Sequence, residues 1–172
     1  RCRSASASGP ASRSPEKRIM IVLIQRVAEA SVSVEGRVTG AVGRGLLALV
    51  CGEPSDTPAV IGKLARKTAR LRIFEDEAGR MNRSVVDVGG DVLCVSQFTL
   101  AADTMSGNRP SFSRAAPPEE GLAAFNAFVT ALRGEGLSCP TGEFGAHMRV
   151  SLVNDGPATF SLHLRADGAG AD

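Results

Sequence analysis

The chain has 172 residues, enough for one well-buried domain and short for two, and its 43% hydrophobic content includes no Trp or Tyr and only seven Phe. The core must then be mostly Val, Leu, Ile and Ala, and base stacking on aromatic side chains, the usual device of single-strand nucleic-acid binders, has few candidates. The net charge of +2 is uneven: residues 1–19 carry +4 and the rest carries −2, which argues against wrapping a long nucleic acid but leaves contact with one end of it open.

Residues 1–19, rich in Ser, Ala, Arg and Pro, show no helical or strand period and read as an extension outside the fold. Their composition resembles an organelle transit peptide, but Pro10 and Pro15 spoil an amphipathic helix, so a dispensable extension is expected. From Met20 the pattern changes. Residues 21–24 form a buried strand, 31–34 alternate as a half-exposed one, Glu35-Gly36 makes a tight turn, and 37–40 return antiparallel. Residues 46–51 are wholly apolar and read as a central strand.

Asp56-Thr57-Pro58 supplies an N-cap and a helix-starting proline, and Val60, Ile61, Leu64, Thr68 and Leu71 share one face at helical spacing. Lys63, Arg66, Lys67 and Arg70 occupy the other, a basic stripe read either as a solvated face or as a phosphate contact. Residues 71–74 read as a strand and 75–79 as a polar turn. Val92 to Val95 follow the turn signal Gly89-Gly90-Asp91 as a strand covered on both faces, and residues 102–113 read as a loop near its exit. Pro117-Pro118 opens a second helix with Glu119 and Glu120 in its first turn and Leu122, Phe125, Phe128, Val129 and Leu132 on its apolar face. Residues 148–153 form another strand, 154–157 a turn, and 158–164 a last alternating strand. Two helices and roughly eight strands predict an α+β fold, with antiparallel-rich β-sheets forming a barrel or sandwich-like core. The domain is expected over 20–165, with 166–172 as a C-terminal tail.

Conventional catalytic sets are hard to assemble from this inventory. Cys2, Cys51, Cys94 and Cys139 are widely spaced without a Cys-x-x-Cys, and Cys51 and Cys94 sit in apolar runs as small core residues. His147 and His163 have no partner at ligand spacing, so neither a metal nor a cofactor is expected, nor a Ser-His-Asp or Cys-His arrangement. No P-loop, Gly-x-Gly-x-x-Gly or Gly-x-Ser-x-Gly is present. No apolar run approaches the roughly 20 residues of a membrane span, so a soluble, cytoplasmic protein without membrane contact is expected.

The informative stretch is Ser96-Gln97-Phe98-Thr99, where polar groups arrive at the end of an interior strand and side chains and backbone N–H groups can face a ligand. Together with Arg109-Pro110-Ser111-Phe112, Asn154-Asp155-Gly156-Pro157 and the opening Ile24-Gln25-Arg26-Val27, it resembles a D-aminoacyl-tRNA deacylase of the first, widespread type. Met81-Asn82, Gly89-Gly90, Thr141-Gly142-x-Phe144 and Met148 fit the same family, and the resemblance covers the chain from Met20 to about Leu164. Ala158 departs from it, standing where a larger β-branched residue is usual, and the basic extension has no counterpart.

The resemblance implies a homodimer whose partner is the aminoacylated 3′ end of tRNA, and hydrolysis of the ester of a D-amino acid, or of glycine mischarged on tRNA-Ala. It implies a cis Gly156-Pro157 peptide inserted into the partner subunit's pocket, where main-chain carbonyls exclude an L side chain. Ser96, Gln97, Phe98 and Thr99 would form the catalytic wall, and Gly156, Pro157, Arg26, Phe144 and Met148 would bind substrate. Backbone N–H groups around Phe98 and Thr99 would hold the oxyanion, and the terminal 2′-hydroxyl would assist water. Two alternatives stay open: Thr99 as a covalent nucleophile, for which no base is visible, and a non-catalytic nucleic-acid-binding or dimeric adaptor protein on the same fold.

Overall fold

A computed structural model describes residues 18–54, 56–105, 107–113 and 115–165, so the expected C-terminal tail and all but Arg18 and Ile19 of the extension lie outside it. In chain order the elements are β1 (Arg18–Val34), β2 (Arg37–Val42), β3 (Gly45–Cys51), α1 (Pro58–Arg70), β4 (Phe74–Glu75), β5 (Met81–Arg83), β6 (Asp91–Ser96), a 3-10 turn (Phe98–Ala101), α2 (Pro118–Gly134) and β7 (Met148–Arg165).

β1 organises the main sheet. Its first half pairs antiparallel with β3, from Ile21↔Cys51 to Val27↔Gly45, and its second half with β2, from Ala30↔Val42 to Val34↔Arg37. β7 runs antiparallel along its other edge, and β6 adds to β3 in parallel, Gly45↔Asp91 to Val50↔Ser96. The fold is α+β, and its five-stranded sheet is mixed. Glu35 (φ 50°) and Gly36 (φ 80°) give the hairpin the two positive-φ residues of a type I′ turn.

The sheet curls. Gly40 of β2 lies against Thr141 beside β6, where an added Cβ would come within 2.9 Å of the Thr141 carbonyl oxygen. One core, holding Val22, Ile24, Leu46, Ala48, Val92 and Cys94, packs against both helices through Leu64, Phe128 and Leu132. A second, with Val27, Val32, Leu47, Leu93 and Val95, fills the inside of the curl. Alternate residues of β6 belong to different cores, as expected of a strand covered on both faces.

Several elements differ from the sequence expectation. β1 is one strand of 17 residues where two were expected, and β7 is one edge where two strands and a turn were expected. The strand expected at 71–74 shrinks to Phe74–Glu75, because the Ile73 N–H bonds the Leu71 carbonyl and the Ile73 carbonyl bonds a side chain, leaving no ladder to join. Leu122 is 38% exposed, and Ala124 takes its place on the buried face of α2. On α1 Thr57 is the cap, its hydroxyl accepting from the Val60 N–H, while the carboxylate of Asp56 ties the Met20 and Glu53 N–H groups together at 2.7 Å each. Arg66 and Arg70 of the basic stripe both grip Glu135, just past α2, at 3.2 Å.

Candidate active site

Because β3 and β6 are parallel and in register at Val50↔Ser96, both strands end at one place. The Gln97 N–H extends the ladder to the Val50 carbonyl at 2.8 Å, after which the chain enters the 3-10 turn that exposes Phe98 and Thr99. The segment 138–142 runs along the free edge of β6: the Val92 N–H donates to Ser138, that of Cys94 to Pro140, and that of Gly142 to Cys94. It therefore delivers Phe144 and Gly145 to the same end. Pro118 and Gly121 of α2 close the remaining side, and a cavity of about 260 Å³ lies between these elements.

One glycine makes that closure possible: a Cβ on Gly52 would stand 2.7 Å from the Ala124 Cβ, whereas one on Gly121 would meet Phe144 at 3.7 Å, an ordinary contact. Phe144 leans on Phe125 with ring centroids 6.5 Å apart, and Phe98 meets Phe112 edge-on at 5.1 Å.

The chemistry available here is spare. Gln97 Nε2 donates to Thr99 Oγ1 at 2.5 Å, so that hydroxyl is held by an amide, which is not a base. The Cys51 thiol lines the cavity 3.6 Å from the Gly52 and Phe98 carbonyls, but burial, reinforced by Glu53, pushes it up to about 11, leaving no thiolate near neutral pH. His147 and His163 are exposed and do not line the cavity. Among the described residues no group of three or more His, Cys, Asp or Glu is placed to hold a metal ion. The first N–H groups of a helical turn lack partners inside it, and Gln97 in the cap position makes no side-chain cap bond. The N–H groups of Phe98 and Thr99 are the first of that turn, and Phe98 lines the cavity.

Gly156 and Pro157 occupy a different place. The β1–β7 register jumps from Gln25↔Thr159 to Val27↔Asn154, so the residues between bulge out of the sheet. Arg26, only 5% exposed, supports the bulge from behind: Nε donates to the Asp155 carbonyl at 2.9 Å and lies 3.4 Å from its carboxylate, while Nη1 donates to the Ile73 carbonyl at 2.5 Å. Asn154 clasps it from the front, Oδ1 accepting from the Ala158 N–H at 2.8 Å and Nδ2 donating to Thr159 Oγ1 at 2.9 Å. The Gly156-Pro157 peptide is cis, and both residues are exposed.

Register separates the two places. Arg26 is level with Leu46 and Val92, whereas the cavity lies level with Val50 and Ser96, on the far side of β1 from β7. That is ~13 Å along the strands and ~14 Å across them at ordinary sheet spacings. Of the expected site residues, Ser96, Gln97, Phe98 and Phe144 line one cavity and Thr99 is bonded to Gln97. Arg26, Gly156 and Pro157 form the second cluster, and Met148 packs on the inner core over Gly142. Cys51, Gly52 and Gly121 were not anticipated in the site. A glycine ending an apolar strand and another inside a helix's first turns were the available signals.

The family model for D-Tyr-tRNA(Tyr) deacylase matches residues 23–163, which include both clusters. A protein named D-aminoacyl-tRNA deacylase from Dinoroseobacter shibae is 62% identical over 140 residues, 81% of this chain and 97% of its own. One of the same name from Deinococcus deserti is 57% identical over 145 residues, 84% of this chain and 99% of its own. A solved structure described as the c-Myc DNA unwinding element binding protein superposes with a TM-score of 0.79 at 40% identity, covering 85% of this chain and 99% of that one. Another, described as a probable eukaryotic D-amino acid tRNA deacylase, gives 0.74 at 16% identity over 84% of this chain and 99% of that one, a likeness of fold alone. With most of its length matched by the family model and by relatives more than half identical to it, this chain belongs to the D-Tyr-tRNA(Tyr) deacylase family.

Proposed function

We propose that this protein is a hydrolase that cleaves the ester between a D-amino acid and the 3′ end of tRNA, and that the Ser96–Thr99 cavity is where it does so. The carrying observation is a cavity walled by main chain, Ser96, Gln97 and aromatic rings, with its one thiol protonated. Water attacks the ester carbonyl, the N–H groups of Phe98 and Thr99 stabilise the oxyanion, and the 3′-oxygen leaves with a proton relayed through the adjacent 2′-hydroxyl. Glycine mischarged on tRNA-Ala lacks a side chain to reject and is a second substrate.

The working form is a homodimer acting in the cytoplasm, with 20–165 as its folded domain. Gly156 and Pro157 are exposed, rigidly supported by Arg26 and Asn154, and out of reach of their own cavity, so their carbonyls serve the cavity of the other subunit. There they collide with an L side chain and leave a D side chain free.

The test is deacylation of D-tyrosyl-tRNA beside L-tyrosyl-tRNA. Release from the D substrate alone supports the reading. The solved structure described as a DNA unwinding element binding protein favours a second reading, binding without hydrolysis. Retention of the intact ester on bound D-tyrosyl-tRNA would favour that one.

A further inference from the structure

The seven phenylalanines are not spread evenly. Phe74, Phe125 and Phe128 are buried and Phe160 is partly buried against the same core, which leaves Phe98, Phe112 and Phe144 as the exposed rings, at 59%, 39% and 36%. All three gather at one end of the sheet. Phe98 and Phe144 line the cavity, and Phe112 reaches it by packing edge-on against Phe98 at a centroid distance of 5.1 Å.

Phe112 does not line the cavity itself. It stands on the loop that leaves the site, pinned by the two backbone hydrogen bonds between Asp103 and Ser111 at 2.8 and 2.9 Å. The same loop carries Arg109, exposed, three residues before Phe112. A chain short of aromatics has thus left a ring open to water just outside its reaction cavity. Phe112 is exposed in contact with Phe98 at the cavity mouth, and exposed rings that cluster, unlike solitary ones, mark a binding surface.

We propose that Phe112 extends the site past the terminal nucleotide and stacks an unpaired base of the tRNA 3′ end, with Phe98 fixing the tilt of its ring. This rests on the deacylase reading above, which places a single-stranded polyanion at the cavity mouth. Single strands are held by base stacking on aromatic rings together with cationic backbone contacts, and the stack tolerates any base. A protein contact at the same rings, the second subunit's among them, is the alternative that the sedimentation arm below tests.

Two substrates separate the roles. D-tyrosyl-tRNA carries the whole 3′ end, and the D-tyrosyl ester of adenosine carries only the terminal nucleoside. Under single-turnover conditions Phe112→Ala is expected to lose on the order of tenfold in kcat/KM on the tRNA and to match the parent enzyme on the adenosine ester, with Phe112→Trp restoring the tRNA rate. Equal losses on both substrates would reduce Phe112 to a prop for Phe98 and overturn the proposal, as would an unchanged rate on tRNA. Dissociation of the variant in sedimentation, with the parent intact, would make the ring a subunit contact and overturn it too. A parent enzyme inert on both substrates sinks the deacylase reading instead, so the two failures are distinct.

Discussion

The guanidinium of Arg26 binds the main-chain carbonyl of Asp155 across 129 positions of sequence, Nε to oxygen at 2.9 Å, from a residue that is 5% exposed. This places a full charge inside the sheet to hold one peptide of an exposed bulge. Its other donor goes to the Ile73 carbonyl, so the bulge is tied to the chain beyond α1 as well. A flat fork of donors reaches two carbonyls in different directions, which an ammonium cannot do.

Arg26→Lys is therefore expected to leave a buried carbonyl unpaired and to cost about 1–3 kcal/mol in urea unfolding. Deacylation should fall further than that stability loss explains, because the Gly156 and Pro157 carbonyls lose their support. An Arg26→Lys protein with parental deacylation would show that the bulge holds its shape unaided.

Gly156 has φ +139°, and a Cβ there would approach Arg26 Nη2 to 2.9 Å and the Ala158 nitrogen to 3.0 Å. Gly156→Ala must move the bulge or the guanidinium. A displacement of about an ångström at a selecting surface is worth on the order of 100-fold in rate, so the variant is expected to lose that much kcat/KM on D-tyrosyl-tRNA. Its melting temperature should fall as well, because a side chain at this φ is strained and the guanidinium it displaces is buried. Equal rates for the two proteins would detach the bulge from selection.

These features also mark what the sequence could and could not tell. The β1–β2 hairpin was legible because alternation and Glu35-Gly36 are local, and β3 and β6 were legible as unbroken apolar runs. The continuity of β1 was not. Gln25-Arg26 looks like the polar end of a strand, and only a carbonyl far along the chain explains how a charge can sit there. The same holds for Ile73, whose carbonyl serves Arg26 instead of a ladder. Ser96, Gln97 and Phe98 could be found because polarity changes abruptly where an interior strand ends, whereas Cys51 looked like core and proved to be both buried and a wall of the cavity.

Glu135 is gripped by Arg66 and Arg70, and their guanidinium hydrogen bonds hold its carboxyl below the usual range. A carboxylate depressed in the folded state stabilises the fold above its unfolded pKa, and that contribution disappears as pH falls through the folded value. Glu135→Gln should consequently be less stable than the parent near neutrality, by under about 1 kcal/mol given the exposure of both arginines, and should converge with it in acid. Urea unfolding at a series of pH values checks this, and a gap that widens in acid would contradict it.

Cys51 tests whether the cavity's thiol matters. With its pKa pushed up to about 11, chiefly by burial, it stays protonated and non-nucleophilic through the physiological range. Cys51→Ala is expected to keep deacylation within about threefold of the parent, a difference under roughly 1 kcal/mol, and the parent should resist iodoacetamide at pH 7.5. Rapid inactivation by the reagent, prevented in Cys51→Ala, would bring the thiol into the mechanism.

Thr99 decides between a reaction carried by main chain and substrate and one carried by a side chain. Its hydroxyl accepts a hydrogen bond from Gln97 Nε2 at 2.5 Å, which draws electron density from the oxygen and supplies no base to take its proton. Thr99→Ala removes that hydroxyl but keeps the residue's own N–H at the start of the 3-10 turn, so hydrolysis of D-tyrosyl-tRNA should remain measurable in single turnover. The substrate's 2′-hydroxyl, by contrast, stands on the carbon next to the leaving 3′-oxygen, within reach of it in every bound substrate. A tRNA ending in 2′-deoxyadenosine should therefore be deacylated slowly by the parent enzyme and by Thr99→Ala alike. A covalent route through Thr99 predicts the opposite pair: normal turnover of the deoxy substrate by the parent and none of either substrate by the variant. Trapping an aminoacyl-enzyme on the parent but not on Thr99→Ala would decide for that route, because water attacking directly leaves no such species.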